Sequence, residues 1–179
     1  QKRKRVFFLA SKKKINLPKK THGSIEECSL NPELLPYERV IDWIGEYSGE
    51  NFHEKEELAI NKTYSNELYD VPPGKNYIAL TAKAGYPDPK FVANKRFWSL
   101  LLKLHPLQPS WTIAAQPGPW VGPIHWENRR LRVPEIAAIQ TFPKDYIFVG
   151  NRRSIQKQIG NAVPSLLAKV MVEHLIKYL

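Results

Sequence analysis

Residues 155–175 read IQKQIGNAVPSLLAKVMVEHL. From Val163 onward, Val163, Leu167, Val170, His174 and Tyr178 fall on one helical line, and Leu166, Met171, Leu175 and Ile176 widen it. That apolar face is broad for so late a helix, so it needs a substantial surface to pack against. Pro164 stands at the helix start, where a missing N–H costs nothing. Ahead of it, Gly160 permits a close backbone approach, and the helix N-terminus that follows suits a carboxylate or phosphate. An ordinary helix start uses the same residues. The stretch has to be read against the rest of the chain.

The chain of 179 residues fits one domain, or one domain and a piece of another. With 42% hydrophobic and 11% aromatic residues it can bury a core. No apolar run approaches the ~20 residues of a membrane span. The chain starts at Gln1 rather than Met, which fits a processed product or a piece of something longer. A single cysteine, Cys28, excludes a disulfide framework and fits a reducing cytoplasm. Its neighbours Glu26 and Glu27 disfavour the thiolate that a nucleophile needs. His22, His53, His105, His125 and His174 lack the short spacing of helical zinc ligands, so no metal site is expected.

The net charge of +10 is unevenly spread. Residues 1–20 carry Lys2, Arg3, Lys4, Arg5, Lys12, Lys13, Lys14, Lys19 and Lys20 and no acid. A one-signed segment of this kind favours a polyanion through counterion release, although a solvated basic end has the same composition.

Val6 to Ala10 is a continuous apolar run and reads as a buried strand, and residues 11–29 read as loop. Val40, Ile41, Ile44 and Tyr47 recur at helical spacing, which predicts a helix over about 37–47. Residues 48–76 are polar and turn-rich. Tyr77 to Thr81 and Trp111 to Ala115 are strand-like. Residues 91–104 place Phe97, Leu100, Leu101 and Leu104 on one side and predict a second helix, with Phe97 and Trp98 packed inward. Pro134 and Glu135 mark the start of another helix over about 133–141. Short irregular strands with scattered helices give an α+β class, with much of the surface made of loops.

Three blocks then carry a resemblance. QIGNAVP (158–164) resembles the last block of the DNA cytosine-5 methyltransferases. RRLRVPEIAAIQTFPKDY (129–146) is similar to that family's ninth block through Arg129, Leu131, Glu135, Gln140, Phe142 and Pro143. QKRKRVFF (1–8) looks like the eighth, with Gln1, Arg3 and Arg5 in place. PKKTHG (18–23) and PSWTI (109–113) resemble connecting segments of bacterial members. Arg132 and Ala138 depart from the ninth block, where the family often has Ser or Thr and a second Arg.

The resemblance implies the back part of such an enzyme, of the bacterial restriction-modification type. Residues 1–23 would be the end of the catalytic domain. Residues 24–150 would be an irregular target-recognition domain that includes the ninth block. Residues 151–179 would return to the α/β catalytic domain, so that a strand and the C-terminal helix belong to it. It further implies that Arg5 bonds a flipped cytosine with Arg3 bracing the pocket, and that Gly160, Asn161 and Ala162 close one side of the S-adenosyl-L-methionine site. Double-stranded DNA would be the partner, with no membrane, in a bacterial cytoplasm on the nucleoid. The loops TAKAGYPDPK (81–90) and AQPGPWVGP (115–123) are candidates for groove contact. The Gly-rich cofactor loop, the Pro-Cys nucleophile and the base-holding Glu do not occur here, so this chain alone is expected to be inactive. A missing N-terminal part would come from the same chain or from a separate subunit, and in its absence the bare helix face predicts self-association, swapping between copies, or docking onto the strand at Val6 to Ala10. A natural DNA-binding subunit of a split enzyme, an RNA-directed relative and an unrelated basic binding module remain as other readings.

Overall fold

The computed structural model describes residues 1–55 and 62–178. Its regular elements are short. Strand β1 (His22–Gly23) pairs in parallel with β2 (Leu35–Pro36), His22 opposite Leu35. Between them, helix α1 (Ile25–Leu30) begins at a capping box. Ser24 Oγ accepts from the Glu27 N–H at 3.2 Å and Glu27 Oε2 accepts from the Ser24 N–H at 2.8 Å. Residues 22–29, expected as loop, are therefore ordered by two side chains.

Helix α2 (Val40–Ile44) runs into a 3₁₀ turn at Gly45–Ser48 and matches the helix expected over 37–47. Helix α3 (Ser65–Asp70) lies inside the segment expected to be turn-rich. Helix α4 (Val133–Ile139) bears out the one expected from Pro134, which sits in its first turn. Helices α5 (Arg152–Asn161) and α6 (Ser165–Ile176) end the described chain. Gly160 and Asn161 thus close one helix instead of leading loosely into the next. Taken as one, Arg152–Ile176 is long and apolar enough to cross a membrane, with a mean hydropathy of 1.2 in its most apolar window. The break at Ala162–Pro164 divides it into pieces of 10 and 12 residues, each short of the ~20 that a span needs.

Two apolar clusters form the core. In the first, Val40 and Ile44 of α2 meet Ile136 and Ile139 of α4, Ile159 of α5, and Leu104, Ile113 and Leu131. In the second, Leu68, Val71, Tyr77, Leu80, Leu101, Trp120 and Ile124 pack together. The segment 100–104 joins them, with Leu101 in one and Leu104 in the other. It is no helix. The Leu101 N–H donates to Trp120 O at 2.9 Å, the Ile124 N–H to Leu102 O at 2.8 Å, and the Leu104 N–H to Ile124 O at 2.8 Å. Leu101 also has φ +52°, which no helix interior tolerates.

Three further expectations fail. Val6 to Ala10 pairs with no strand among the described residues, and Val6 and Phe8 stand in solvent. Tyr77–Leu80 is a 3₁₀ turn, because Asn76 caps it by accepting from the Ile78 N–H at 3.1 Å. Trp111 to Ala115 contributes only an isolated parallel bridge, Lys2 to Trp111. The fold is mixed, with several helices, few strands and long irregular connections, which is compatible with the α+β class.

Candidate functional site

The chain's first residues lie beside 110–112. The Lys2 N–H donates to Ser110 O at 2.7 Å, Thr112 Oγ1 donates to Lys2 O at 3.1 Å, and Lys2 Nζ sits 4.5 Å above the Trp111 ring. Arg3 and Arg5, two apart on an extended backbone, then project to one side. Both reach the end of α5. Arg3 Nη1 donates to Gly160 O at 3.0 Å and Arg5 Nη2 to Ala162 O at 2.6 Å. A helix C-terminus leaves carbonyls without partners and carries partial negative charge, so two guanidiniums there are favourable. The neighbouring Ile159 O is taken by Gln140 Nε2 at 2.8 Å. Residues separated by 157 positions thus meet at one helix end.

Gly160 is required there. A Cβ on it would lie 2.5 Å from Ala115 Cα and 2.6 Å from Ala115 N. Asn161 is exposed, and its carboxamide takes no partner among the described residues. Arg5 Nε is buried with no acceptor among the described residues. Burial, and then the charge of Arg3, hold the Arg5 guanidinium below its usual pKa. Arg3, Arg5, Gly160 and Ala162 are brought together, and Asn161 stands at the rim.

The ninth-block residues form a separate, mostly buried brace. Glu135 is fully buried and accepts the Arg129 fork at 2.9 and 2.7 Å and the Arg132 N–H at 2.7 Å. Burial pushes its carboxyl upward while Arg129 and the Arg132 N–H pull it back. Arg132, where a hydroxyl was expected, cannot accept a bond as a cap. Its guanidinium instead donates to Tyr47 O and Gly49 O. His125, also buried, accepts the Glu127 N–H at Nδ1 (3.1 Å). Burial, with Arg129 and Arg132 adding to it, lowers its pKa to about 3, so the ring is neutral. Gln140 ties the brace to the C-terminal helices, since its own carbonyl accepts the Ser165 N–H at 3.2 Å.

Sequence reasoning missed a basic groove of about 530 Å³ lined by Ala115–Pro119, Arg130, Asn151, Arg152, Arg153 and Gln156. Arg152 is anchored to Glu54 at 2.9 Å and to Leu131 O at 2.5 Å. Arg153 is exposed. One wall, 115–119, lies in the 115–123 loop already expected to contact DNA; the other was signalled by the Asn151-Arg152-Arg153 run, which reads equally as a capped helix start. Within the 115–123 loop, Trp120 is core rather than surface. Phe97 and Trp98, expected inside, are outside: Phe97 is 82% exposed and Trp98 51%.

Comparison with known proteins agrees with the family that the sequence resembles. The family model described as C-5 cytosine-specific DNA methylase matches residues 1–177. Type II methyltransferase M.SacI of Streptomyces achromogenes is 37% identical over 193 residues, covering 100% of this chain and 48% of the relative. Type II methyltransferase M.BbvI of Brevibacillus brevis is 41% identical over 87 residues, 48% of this chain and 23% of its own. DNA (cytosine-5-)-methyltransferase M.ApeKI of Aeropyrum pernix is 40% identical over 79 residues, 43% of this chain and 17% of its own. The chain spans less than half the length of each of these relatives.

Proposed function

The chain belongs to the C-5 cytosine-specific DNA methylase family, and from that premise we propose that it is the C-terminal part of a DNA cytosine-5 methyltransferase of the restriction-modification type. Its task is to bind the target duplex and to complete the cytosine and S-adenosyl-L-methionine pockets. Residues 1–23 and 151–179 serve the catalytic domain, and 24–150 serve target recognition.

One observation carries this reading: Arg3 and Arg5 converge on the carbonyls of Gly160 and Ala162. Each arginine keeps donors beyond those bonds, and the unpartnered Arg5 Nε supports a role in receiving an acceptor atom, such as the carbonyl of an extruded cytosine. A planar fork suits that oxygen better than an ammonium. The exposed Asn161 carboxamide and the compact Gly160 fit the amino-acid end of the cofactor, which when bound supplies an electrophilic methyl. In the groove lined by Arg130, Arg152 and Arg153, the exposed Arg153 has the charge to hold a phosphate, while Arg152 is paired with Glu54.

Carbon 5 of cytosine is a weak nucleophile until a thiolate adds at carbon 6. Cys28 follows Glu27, its thiol lies 3.8 Å from Gly23 O, and it is far in sequence from any block. The chain alone therefore should transfer no methyl group. Labelled-cofactor incorporation into duplex DNA tests this, first with the chain alone and then with a front half carrying the Pro-Cys block. Activity should appear only in the combination and fall sharply with Arg5→Ala. Specific incorporation by the isolated chain, or full activity of that variant in the combination, would sink the reading.

A further inference from the structure

The turn at residues 94–98 has no part in the site above, yet it is built as a contact surface. Asn94 adopts φ +62°, a left-handed conformation that asparagine tolerates better than most residues, and the chain reverses there. Its far limb is pinned from beneath. Tyr77 Oη donates to Arg96 O at 3.1 Å, and Asn76 Nδ2 donates to Trp98 O at 2.7 Å. Tyr77 and Asn76 are both buried. A rigid backbone thus holds Lys95, Arg96, Phe97 and Trp98 in solvent.

Exposing a single phenylalanine is ordinary, but here Phe97 lies in one turn with exposed Trp98 after it and two cations before it, and Val92 at the turn's start is exposed as well. Residues 89–99 contain no acid, and neither Lys95 nor Arg96 pairs with a carboxylate among the described residues. Charge and position point the same way. The Trp98 ring meets Trp111 edge-on with centroids 4.7 Å apart, and Trp111 carries the Lys2 ammonium. Lys2 immediately precedes the arginine that reaches Gly160. The turn is therefore linked through two rings to the segment that holds Arg3 and Arg5.

We infer that the 94–98 turn reads double-stranded DNA, with Phe97 against base edges in a groove and Lys95 and Arg96 on the flanking phosphates. This rests on the DNA reading proposed above. A phenylalanine tip gives apolar contact with bases such as the thymine methyl, and cations on either side fix its register. Nothing in the aromatic tip itself depends on the salt concentration, whereas each phosphate contact does.

Selection of duplexes from a random pool by the chain, followed by titration across a salt series, separates these roles. The chain should enrich a preferred site. Phe97→Ala should lose roughly tenfold of that preference while keeping the wild-type salt slope. Lys95→Ala and Arg96→Ala should keep the preference, bind all duplexes more weakly, and each flatten the slope by about one. Circular dichroism guards against unfolding, which is not expected for exposed side chains. Wild-type preference and affinity in all three variants would overturn the assignment of this turn and leave DNA binding standing. If the chain retains no duplex even at low salt, the DNA reading falls and this inference falls with it.

Discussion

At the scale of single residues, Gly160 and His125 make opposite kinds of demand on their surroundings. Gly160 lies in the last turn of a helix, where alanine should gain about 1 kcal/mol from propensity alone. The added Cβ would instead meet Ala115 Cα at 2.5 Å and Ala114 C at 2.8 Å, which are backbone atoms that cannot swing aside. Overpacking of this kind costs about 1–3 kcal/mol or more. Gly160→Ala should therefore lower Tm by several degrees, while Gly118→Ala, whose nearest atom is a Val121 methyl at 3.6 Å, should not. Thermal melts of the two variants side by side decide it. His125 concerns protons. Its folded pKa, lowered to about 3, lies below the ordinary value near 6.5, so only the unfolded chain takes up a proton between those limits. Its contribution is complete above pH 6.5 and is lost as pH falls toward 3. Between pH 7.5 and 5 the loss amounts to about 2 kcal/mol. Urea unfolding at both pH values should show it, and His125→Asn should flatten that dependence even if it is less stable throughout. An unchanged slope in the variant would mean that another group carries the effect.

At the scale of elements, what the sequence made legible follows from where the deciding interactions sit. Helices α2 and α4 were legible because their periodicity and Pro134 are local signals that agree with the packing of Val40, Ile44, Ile136 and Ile139. Segment 91–104 has the same periodicity, but its Leu101, Lys103 and Leu104 N–H groups donate to residues 120, 75 and 124, and long-range pairing overrides the pattern. Leu101 and Leu104 are buried as expected; Phe97 is not, since no helix exists to turn it inward. In the site, Arg3, Arg5 and residues 160–162 were singled out only through the block resemblance, which did not say that they meet, and the 130–153 groove had only local signals that read equally as loop and helix start. Helix α6 matches the pattern read at the outset, yet none of its residues is buried. Leu166, Leu167, Val170 and Ile176 are all at least 37% exposed. The helix is tied to the rest of the chain at its start, by the Ser165 N–H to Gln140 O at 3.2 Å and the Leu166 N–H to Thr141 Oγ1 at 3.0 Å, and further on by the His174 ring and Asn16 O, 2.7 Å apart. A fully buried side chain of this type is worth about 1.5–3 kcal/mol, so covering several is a large driving force. Light scattering across a concentration series should show the chain associating, and Val170→Asp should suppress that association. A wild-type monomer at high concentration would show that the face needs no cover.

For the whole molecule, the decisive property is how charge is distributed over the fold. The net charge is +10, and residues 1–20 hold nine cations and no acid. Several surface acids are already neutralised by neighbours, as in Lys144 with Glu46 at 2.8 Å and Arg39 with Asp42 at 2.7 Å. Lys2, Arg3, Arg5, Lys95, Arg96 and the exposed Arg153 pair with no carboxylate among the described residues and so suit an external polyanion. On the proposed reading, phosphate contacts dominate the binding of DNA by this chain, and these release counterions when they form. The chain should bind duplex DNA with Kd roughly in the 10⁻⁴ to 10⁻⁶ M range at physiological salt. If about six phosphates are engaged, affinity should fall on the order of 10³-fold between 50 and 200 mM salt. Fluorescence anisotropy with a labelled duplex measures both quantities. An affinity that stays flat across that range would mean that binding, if any, is not carried by these cations, and the electrostatic reading of the surface would be wrong.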